Sequence, residues 1–389
     1  MRRIVILGST GSIGRYTLDV VSQHPGKFEL VGLAARQSGD ELARQCEVHP
    51  AARLALTTDT ALETLLAARP ELAARAVGSG EDALVELIRD TKPDMVVNAL
   101  VGSVGLRPTM EALLSGIPVA IANKETIVTG GEILLAAARD GGGRLIPIDS
   151  EHVAISQCLG TAPPENVERV VMTASGGALR DRSLDAMTSV TVDDVLAHPT
   201  WDMGAKITVD SATLINKGLE VIEARWLFGL SLEQIDVVIH PQSIVHSFVE
   251  FIDGSIIAQM GQPDMRQPIL YALSYPEMRR SSLKSRISEF PDLTFHEVDR
   301  RRYPCFELVL EAARTGGSAP TVLNAANEVA VGAFLAGQIP FTRINELIGA
   351  ALSGVPQNPI ASLDDILQAD RTTREWIAEQ YSIRLAGTK

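Results

Sequence analysis

Asp149 and Glu151 stand two apart in Pro147-Ile148-Asp149-Ser150-Glu151-His152, directly after Arg144 to Ile148, which reads as a short buried strand. If the backbone continues extended, side chains at that spacing leave the same face. Two carboxylates aimed at one point repel unless a cation sits between them or one takes up a proton. The economical chemistry is half of a hard-oxygen site for Mg²⁺ or Mn²⁺, with Co²⁺ chemically admissible; the plain alternative is an acidic strand end in solvent. A third carboxylate, Glu220, closes the run Asp210-Ser211-Ala212-Thr213-Leu214-Ile215-Asn216-Lys217-Gly218-Leu219-Glu220. Asn216 and Lys217 lie four and three residues before it and share its helical face. That face is either a surface Lys–Glu pair or the missing oxygen ligand beside a cationic phosphate ligand. Ser211 either caps the helix or binds phosphate.

Two other stretches offer backbone N–H groups to anions. Ile4 to Leu7 runs as an apolar strand into Gly8-Ser9-Thr10-Gly11-Ser12-Ile13-Gly14 and then into a helical pattern. Strand, glycine turn and helix start read as a pyrophosphate cradle, because the helix N-terminus supplies N–H donors and a positive dipole end; the plain alternative is an ordinary strand–helix turn. The second strand, Phe28 to Leu33, ends at Ala34-Ala35-Arg36-Gln37-Ser38, with no Asp or Glu to hold a ribose 2′-hydroxyl. Arg36 with Gln37 and Ser38 suits a 2′-phosphate, which predicts NADPH as cofactor; the plain alternative is a solvated surface arginine. Farther on, the strand Val170 to Thr173 ends in Ala174-Ser175-Gly176-Gly177, a second anion loop. His198-Pro199-Thr200-Trp201-Asp202-Met203-Gly204 follows, read either as a lid over a ligand or as a loop tucked into the core.

The elements that must position these groups alternate. Helical Ala83–Arg89, strand Met95–Leu100, helical Arg107–Ser115, strand Pro118–Ala122, helical Ile127–Arg139 and strand 145–148 predict an N-terminal doubly wound, Rossmann-type sheet. Ligands of such sheets sit at the carboxyl ends of strands, where Asn98, Asn123, Lys124, Glu125, Asp149 and Glu151 fall. The fold class is α/β: an NADPH domain over 1–149, a central α/β catalytic domain over 150–263, a proline-marked linker over 264–300 and a C-terminal helical bundle over 301–389. Phe248–Phe251 and Ser255–Met260 read as a hairpin around Asp253-Gly254. His240 and His246 read as packing or substrate-side groups, since a hard oxygen site does not need them. In the bundle, helices are expected over 306–314, 322–335, 344–352, 363–368 and 374–384, with Asn324-Ala325-Ala326-Asn327-Glu328 in a structural role.

The chain has 389 residues, 46% of them hydrophobic, and a net charge of −13, which argues against general nucleic-acid binding. Its cysteines, Cys46, Cys158 and Cys305, are odd in number and far apart, which fits a reducing cytoplasm rather than a disulfide frame. No apolar run approaches the ~18 residues of a membrane span, so no membrane partner is expected.

Taken together the motifs resemble the 1-deoxy-D-xylulose 5-phosphate reductoisomerase family. The matching residues are Gly8–Gly14, Asn123–Glu125, Asp149–His152, His198–Gly204, Asp210–Glu220, Glu223–Leu227, His240–Ser243 and Asn324–Glu328, in family order across most of the chain. The resemblance implies a cytoplasmic homodimer of the non-mevalonate isoprenoid route. It would isomerise a sugar phosphate by retro-aldol and aldol steps, then reduce it to 2-C-methyl-D-erythritol 4-phosphate. It further implies that Asp149, Glu151 and Glu220 hold the metal. Lys124, Ser150, Glu151, Ser175, His198, Ser211, Asn216, Lys217 and Glu220 would meet substrate, with Lys124, Glu151 and His198 catalytic. Thr10, Gly11, Ser12, Ile13, Asn123, Glu125 and Gly204 would meet NADPH. Where the family often has a Gly-Lys-Asn type segment, this chain has Arg36-Gln37-Ser38. Two-domain semialdehyde or homoserine dehydrogenases and a non-catalytic NADP-binding sensor would share the first loop; those dehydrogenases lack the three carboxylates, and the sensor would show no turnover.

Overall fold

The computed structural model describes residues 1–384, so the last five positions of the expected helical bundle lie outside the described residues. The chain forms two compact units. The first gathers Met1–Thr126, Glu132–Val153 and Asp264–Lys284; the second gathers Ile127–Gly131, Ala154–Pro263 and the residues from Ser285 onward.

In the first unit, β1 (Arg2–Leu7), β2 (Phe28–Ala35), β3 (Arg53–Leu56), β4 (Ala76–Ser79), β5 (Met95–Asn98), β6 (Val119–Ile121) and β7 (Leu145–Pro147) form one parallel sheet, in the order β4-β3-β2-β1-β5-β6-β7. The central strands are apolar on both faces, as a sheet covered by helices requires, and Ile4, Ile6, Leu33 and Val97 are fully buried. Strand order reverses at β1, which places the ligand crevice at the carboxyl ends of β1 and β5. The stretch 264–300, expected as linker, is divided between the units. Its first part forms the helix Arg266–Ser274, whose Ile269, Leu270, Ala272 and Leu273 join the core of the first unit.

One local expectation is overturned at Asp149. The backbone does not stay extended: the helix Ser150–Leu159 starts at once, and the Asp149 carbonyl accepts from the Val153 N–H at 2.9 Å. Glu151 therefore occupies a helical first turn, where a carboxylate is favoured by the dipole, and same-face strand alternation does not apply.

In the second unit, β8 (Val167–Ala174), β9 (Ile235–Ile239), β10 (Val245–Phe251), β11 (Ile256–Met260) and β12 (His296–Glu297) form a mixed sheet in the order β11-β10-β8-β9-β12. β10 and β11 make the expected hairpin, with Gly254 at φ +84° in its turn. The helices Ala205–Ala212 and Ile215–Phe228 follow one another with a break at Leu214, which has φ +62°. Pro304–Thr315, Ala319–Leu335, Arg343–Gly354 and Leu363–Tyr381 build the bundle around Val309, Val322, Leu347 and Ile377. The helix break expected between 368 and 374 is absent. The polar stretch there faces partners: Arg374 bridges Asp370 and Glu328 at 2.7 and 2.6 Å, and the Thr373 hydroxyl donates to the Ala369 carbonyl. Cys46, Cys158 and Cys305 are free thiols, all buried. No helix among the described residues is long and apolar enough to cross a membrane.

Candidate active site

The first unit builds its anion loop from backbone. Gly8 follows β1 at φ +92°, and a Cβ there would lie 2.4 Å from the Ala99 carbonyl oxygen that follows β5. A Cβ on Gly14 would lie 2.3 Å from the Gly8 carbonyl oxygen, so helix and turn are in backbone contact; at Gly11 the nearest such atom is 3.5 Å away. The helix Ser12–Ser22 starts at Gly11 with no side-chain cap, and Gly11 and Ser12 are exposed, an arrangement that suits a pyrophosphate. Behind the loop, the Ser9 hydroxyl donates to Gln45 Oε1 at 2.6 Å and Gln45 Nε2 returns to the Ser9 carbonyl at 3.1 Å. Gln45 carries no motif and escapes a sequence reading. Arg36, Gln37 and Ser38 lie exposed at the end of β2. Gln37 and Ser38 line a cavity of about 590 Å³ with Arg15, Arg44 and Thr58; Arg36 is not among its lining residues.

At the carboxyl end of β6, Asn123 caps the helix Lys124–Gly141 by accepting from the Thr126 N–H at 2.9 Å. Its amide donates to the carbonyls of Leu100 and Gly102 at 2.9 and 3.0 Å and to Glu125 at 3.1 Å. Asn123 and Glu125 are both buried, so this side-chain network fixes the 100–102 loop to the helix start. Lys124 occupies the first helical position and pairs with Asp149, while the Ser150 hydroxyl donates to Glu151. Lys124 is thus brought to the carboxylate segment. An oxygen-only pair, with an ammonium already drawn to Asp149, fits a hard divalent cation.

The second unit gathers the remaining candidates. Ser175 follows β8, and the His198 ring reaches it: Nε2 lies 3.0 Å from Ser175 Oγ. His198 Nδ1 accepts from the N–H groups of Thr200 and Trp201 at 3.1 and 2.9 Å. An acceptor Nδ1 requires the Nε2–H tautomer, so His198 donates to Ser175. Burial, with the nearby Arg180 charge, pushes the His198 pKa down to about 4. The Trp201 ring is half-buried, 6.4 Å from the His246 ring of β10. Gly177, at φ +71°, packs on the helix Ala205–Ala212, where a Cβ would lie 2.7 Å from the Ser211 carbonyl oxygen. Ser211 sits at the end of that helix and caps nothing, which removes one of its two expected roles. Gly204 stands exposed at the start of the same helix.

On the helix Ile215–Phe228, Asn216 Nδ2 donates to Glu220 Oε1 at 2.6 Å and the Lys217 ammonium pairs with Glu220 Oε2. Side chains of Lys217 and Glu220 are 4% and 2% exposed, which excludes the solvated surface pair. His240 is held by the Thr294 carbonyl at 2.9 Å and stacks on Phe295 at 4.5 Å, the packing alternative of its two expected roles.

Known proteins resemble the whole chain. A family model described as 1-deoxy-D-xylulose 5-phosphate reductoisomerase matches residues 4–131; one for its C-terminal domain matches 145–228, and a DXP reductoisomerase C-terminal domain model matches 260–376. The enzyme of that name from Cupriavidus taiwanensis is 48% identical over 382 residues, 96% of this chain and 97% of the relative. The one from Rippkaea orientalis is 46% identical over 379 residues, 96% and 95% of the two chains. A crystal structure of DOX-P reductoisomerase in complex with NADPH, fosmidomycin and magnesium superposes with a TM-score of 0.93 at 37% identity, covering 98% of both chains. The Zymomonas mobilis enzyme in complex with NADPH gives 0.89 at 37% identity, covering 97% of this chain and 98% of that one.

Proposed function

We propose a division of labour among these residues from one premise: the chain belongs to the 1-deoxy-D-xylulose 5-phosphate reductoisomerase family. It carries out the NADPH- and divalent-metal-dependent conversion of 1-deoxy-D-xylulose 5-phosphate to 2-C-methyl-D-erythritol 4-phosphate, a step of isoprenoid biosynthesis. The observation that carries this is the run of family matches along the chain, with Asp149, Glu220 and the Gly8–Gly14 loop falling inside them.

Asp149, Glu151 and Glu220 would hold the divalent ion, and Thr10 to Ile13 with Arg36, Gln37, Ser38, Asn123, Glu125 and Gly204 would serve NADPH. When bound, the ion supplies Lewis-acid polarisation of the substrate oxygens and NADPH supplies the hydride. The other work falls to the chain. The Lys124 ammonium, charge-balanced by Asp149, steadies oxyanion charge as it develops. Glu151 receives a hydroxyl proton, with Ser150 beside it as hydrogen-bond donor. Ser175, Ser211, Asn216 and Lys217 receive the phosphate, and the neutral His198 donates toward it through Ser175. Asn216 and Lys217 also fix the two oxygens of Glu220 in one orientation.

The test is NADPH oxidation by the purified protein with 1-deoxy-D-xylulose 5-phosphate, before and after EDTA and after adding back Mg²⁺ or Mn²⁺. Turnover should vanish with EDTA and return with metal. Glu220→Gln should keep NADPH binding and lose metal-dependent turnover. Activity that persists in EDTA sinks the carboxylate assignment. We extend the reading to a cytoplasmic homodimer, which light scattering on the eluting protein checks.

A further inference from the structure

The loop after β8 is fixed by its carbonyls. Arg180 Nη1 donates to the Ser175 carbonyl at 3.1 Å, and Tyr303 Oη donates to the Gly176 carbonyl at 2.9 Å. Arg302 Nη1 donates to the carbonyls of Leu179 and Arg182 at 3.1 and 2.6 Å. Arg302 and Tyr303 come from a segment more than 100 residues away, just before the helix Pro304–Thr315. Tyr303 is 3% exposed, and burial pushes its pKa up to about 12, so it stays a phenol and a donor.

A peptide plane points its C=O and the following N–H in opposite directions. Fixing the Gly176 carbonyl on Tyr303 therefore fixes the Gly177 N–H on the other side. That N–H donates to Ser175 Oγ at 3.2 Å. Ser175 Oγ also lies 3.0 Å from the His198 Nε2–H. A hydroxyl oxygen that accepts two hydrogen bonds has only its own proton left to direct, so it becomes a dedicated donor. A dedicated donor is the state that favours an anionic oxygen over a cation or a water proton.

We propose that Tyr303 is a positioning residue for the phosphate of the substrate: through the Gly176–Gly177 peptide it holds Ser175 in the state that donates to a phosphate or phosphonate oxygen. The inference rests on the reading above that Ser175 meets the phosphate. The Gly176 site leaves little room for adjustment, since a Cβ there would lie 3.2 Å from the Tyr303 hydroxyl and 3.1 Å from Arg180 Cβ. The loop cannot slide to find another donor without breaking the Gly177 contact with the Ser211–Ala212 backbone.

The experiment is a double-mutant cycle of Tyr303→Phe and Ser175→Ala, read by KM for 1-deoxy-D-xylulose 5-phosphate, Ki for fosmidomycin, KM for NADPH and kcat. Tyr303→Phe keeps the ring and should fold, which a thermal melt confirms. KM for the sugar phosphate and Ki for the phosphonate should rise together about fivefold, with KM for NADPH and kcat within about twofold. Ser175→Ala should raise the same two constants, and adding Tyr303→Phe to it should change nothing further. If Ser175→Ala raises them and Tyr303→Phe does not, or if the two effects add, the inference falls while the site reading stands. If Ser175→Ala leaves both constants unchanged, the site reading falls and takes this inference with it. Should Tyr303→Phe melt far below the parent, the same cycle is run at a temperature below both melts, and the same outcomes decide.

Discussion

In the first unit, Gly8 and Gly14 bring turn, strand end and helix start into close backbone approach, with the Ala99 carbonyl after β5 and the Gln45 amide behind the loop. In the second, Ser175-Gly176-Gly177 takes its form from Arg180, His198, Arg302 and Tyr303, the last two arriving from far along the chain. In the function proposed above, the two loops meet the same chemical demand, N–H or O–H donors turned toward a phosphate. The difference lies in where the constraint resides. A loop built mainly from backbone is intolerant of an added Cβ at its close approaches, Gly8 and Gly14. A loop held by side chains can be tuned from a distance and fails by degrees.

The comparison breaks most sharply at Gly14. Gly14→Ala places a methyl 2.3 Å from a carbonyl oxygen that cannot swing aside. A displacement on the order of 1 Å at the cofactor phosphates is worth about 100-fold in kcat/KM for NADPH. Gly11→Ala, with its nearest neighbour 3.5 Å away, should stay within about twofold, so steady-state kinetics of the pair separates steric need from simple glycine content. Gly177→Ala comes next. A left-handed residue without glycine costs about 1–2 kcal/mol before the contact with Ser211 is counted, or about tenfold in KM for the sugar phosphate. KM for NADPH should not follow; parallel loss of both constants would erase the distinction between the loops.

Arg36→Ala is milder. An exposed cation facing a phosphate contributes up to ~1 kcal/mol, so the NADPH-to-NADH preference should fall about fivefold. An unchanged ratio of kcat/KM values would shift 2′-phosphate recognition to the cavity residues Arg15 and Arg44. The smallest effect is a slope with pH. His198 titrates near 4 when folded and near 6.5 when unfolded, so between those values the unfolded chain binds the extra proton. Its contribution to stability is present above pH 6.5 and is lost as pH falls toward 4. Melting curves of the parent should drop by more over that interval than those of His198→Gln. Equal slopes would mean that the ring does not titrate with folding.

How legible each loop is in the sequence follows from the same difference. The Gly8–Gly14 loop and the βα rhythm are read directly, because a local cradle leaves its glycines and flanking apolar strands in one short stretch. Strands β3 and β4 are missed, being four residues each, Arg53–Leu56 and Ala76–Ser79, too short to show a period. The paired acids at 149 and 151 stand out by their spacing, but their geometry is misjudged, since Ser150 starts a helix. The helix Leu363–Tyr381 looks interrupted because Asp370 and Arg374 are polar, and only the ion pair to Glu328 shows why they are tolerated. Tyr303 is invisible in Arg302-Tyr303-Pro304, as its hydrogen-bond partner lies 127 residues upstream. The division of 264–300 is hidden for the same reason: Ile269 and Leu273 look like any apolar pair until the sheet they cover is known.

The three buried thiols give the molecule a set of internal clocks. Burial lifts the Cys158 and Cys305 pKa values to about 11 and about 12 and raises that of Cys46 too, so thiolate, the reactive form, is scarce at neutral pH. Alkylating reagents and mild oxidants should therefore pass the folded enzyme by, and each sulfur becomes modifiable only when the structure around it opens. Cys46 belongs to the first unit and Cys158 and Cys305 to the second. Pulse alkylation followed by peptide mass analysis would time the opening of each unit without any introduced label, and would show whether the backbone-built half or the side-chain-braced half lets go first.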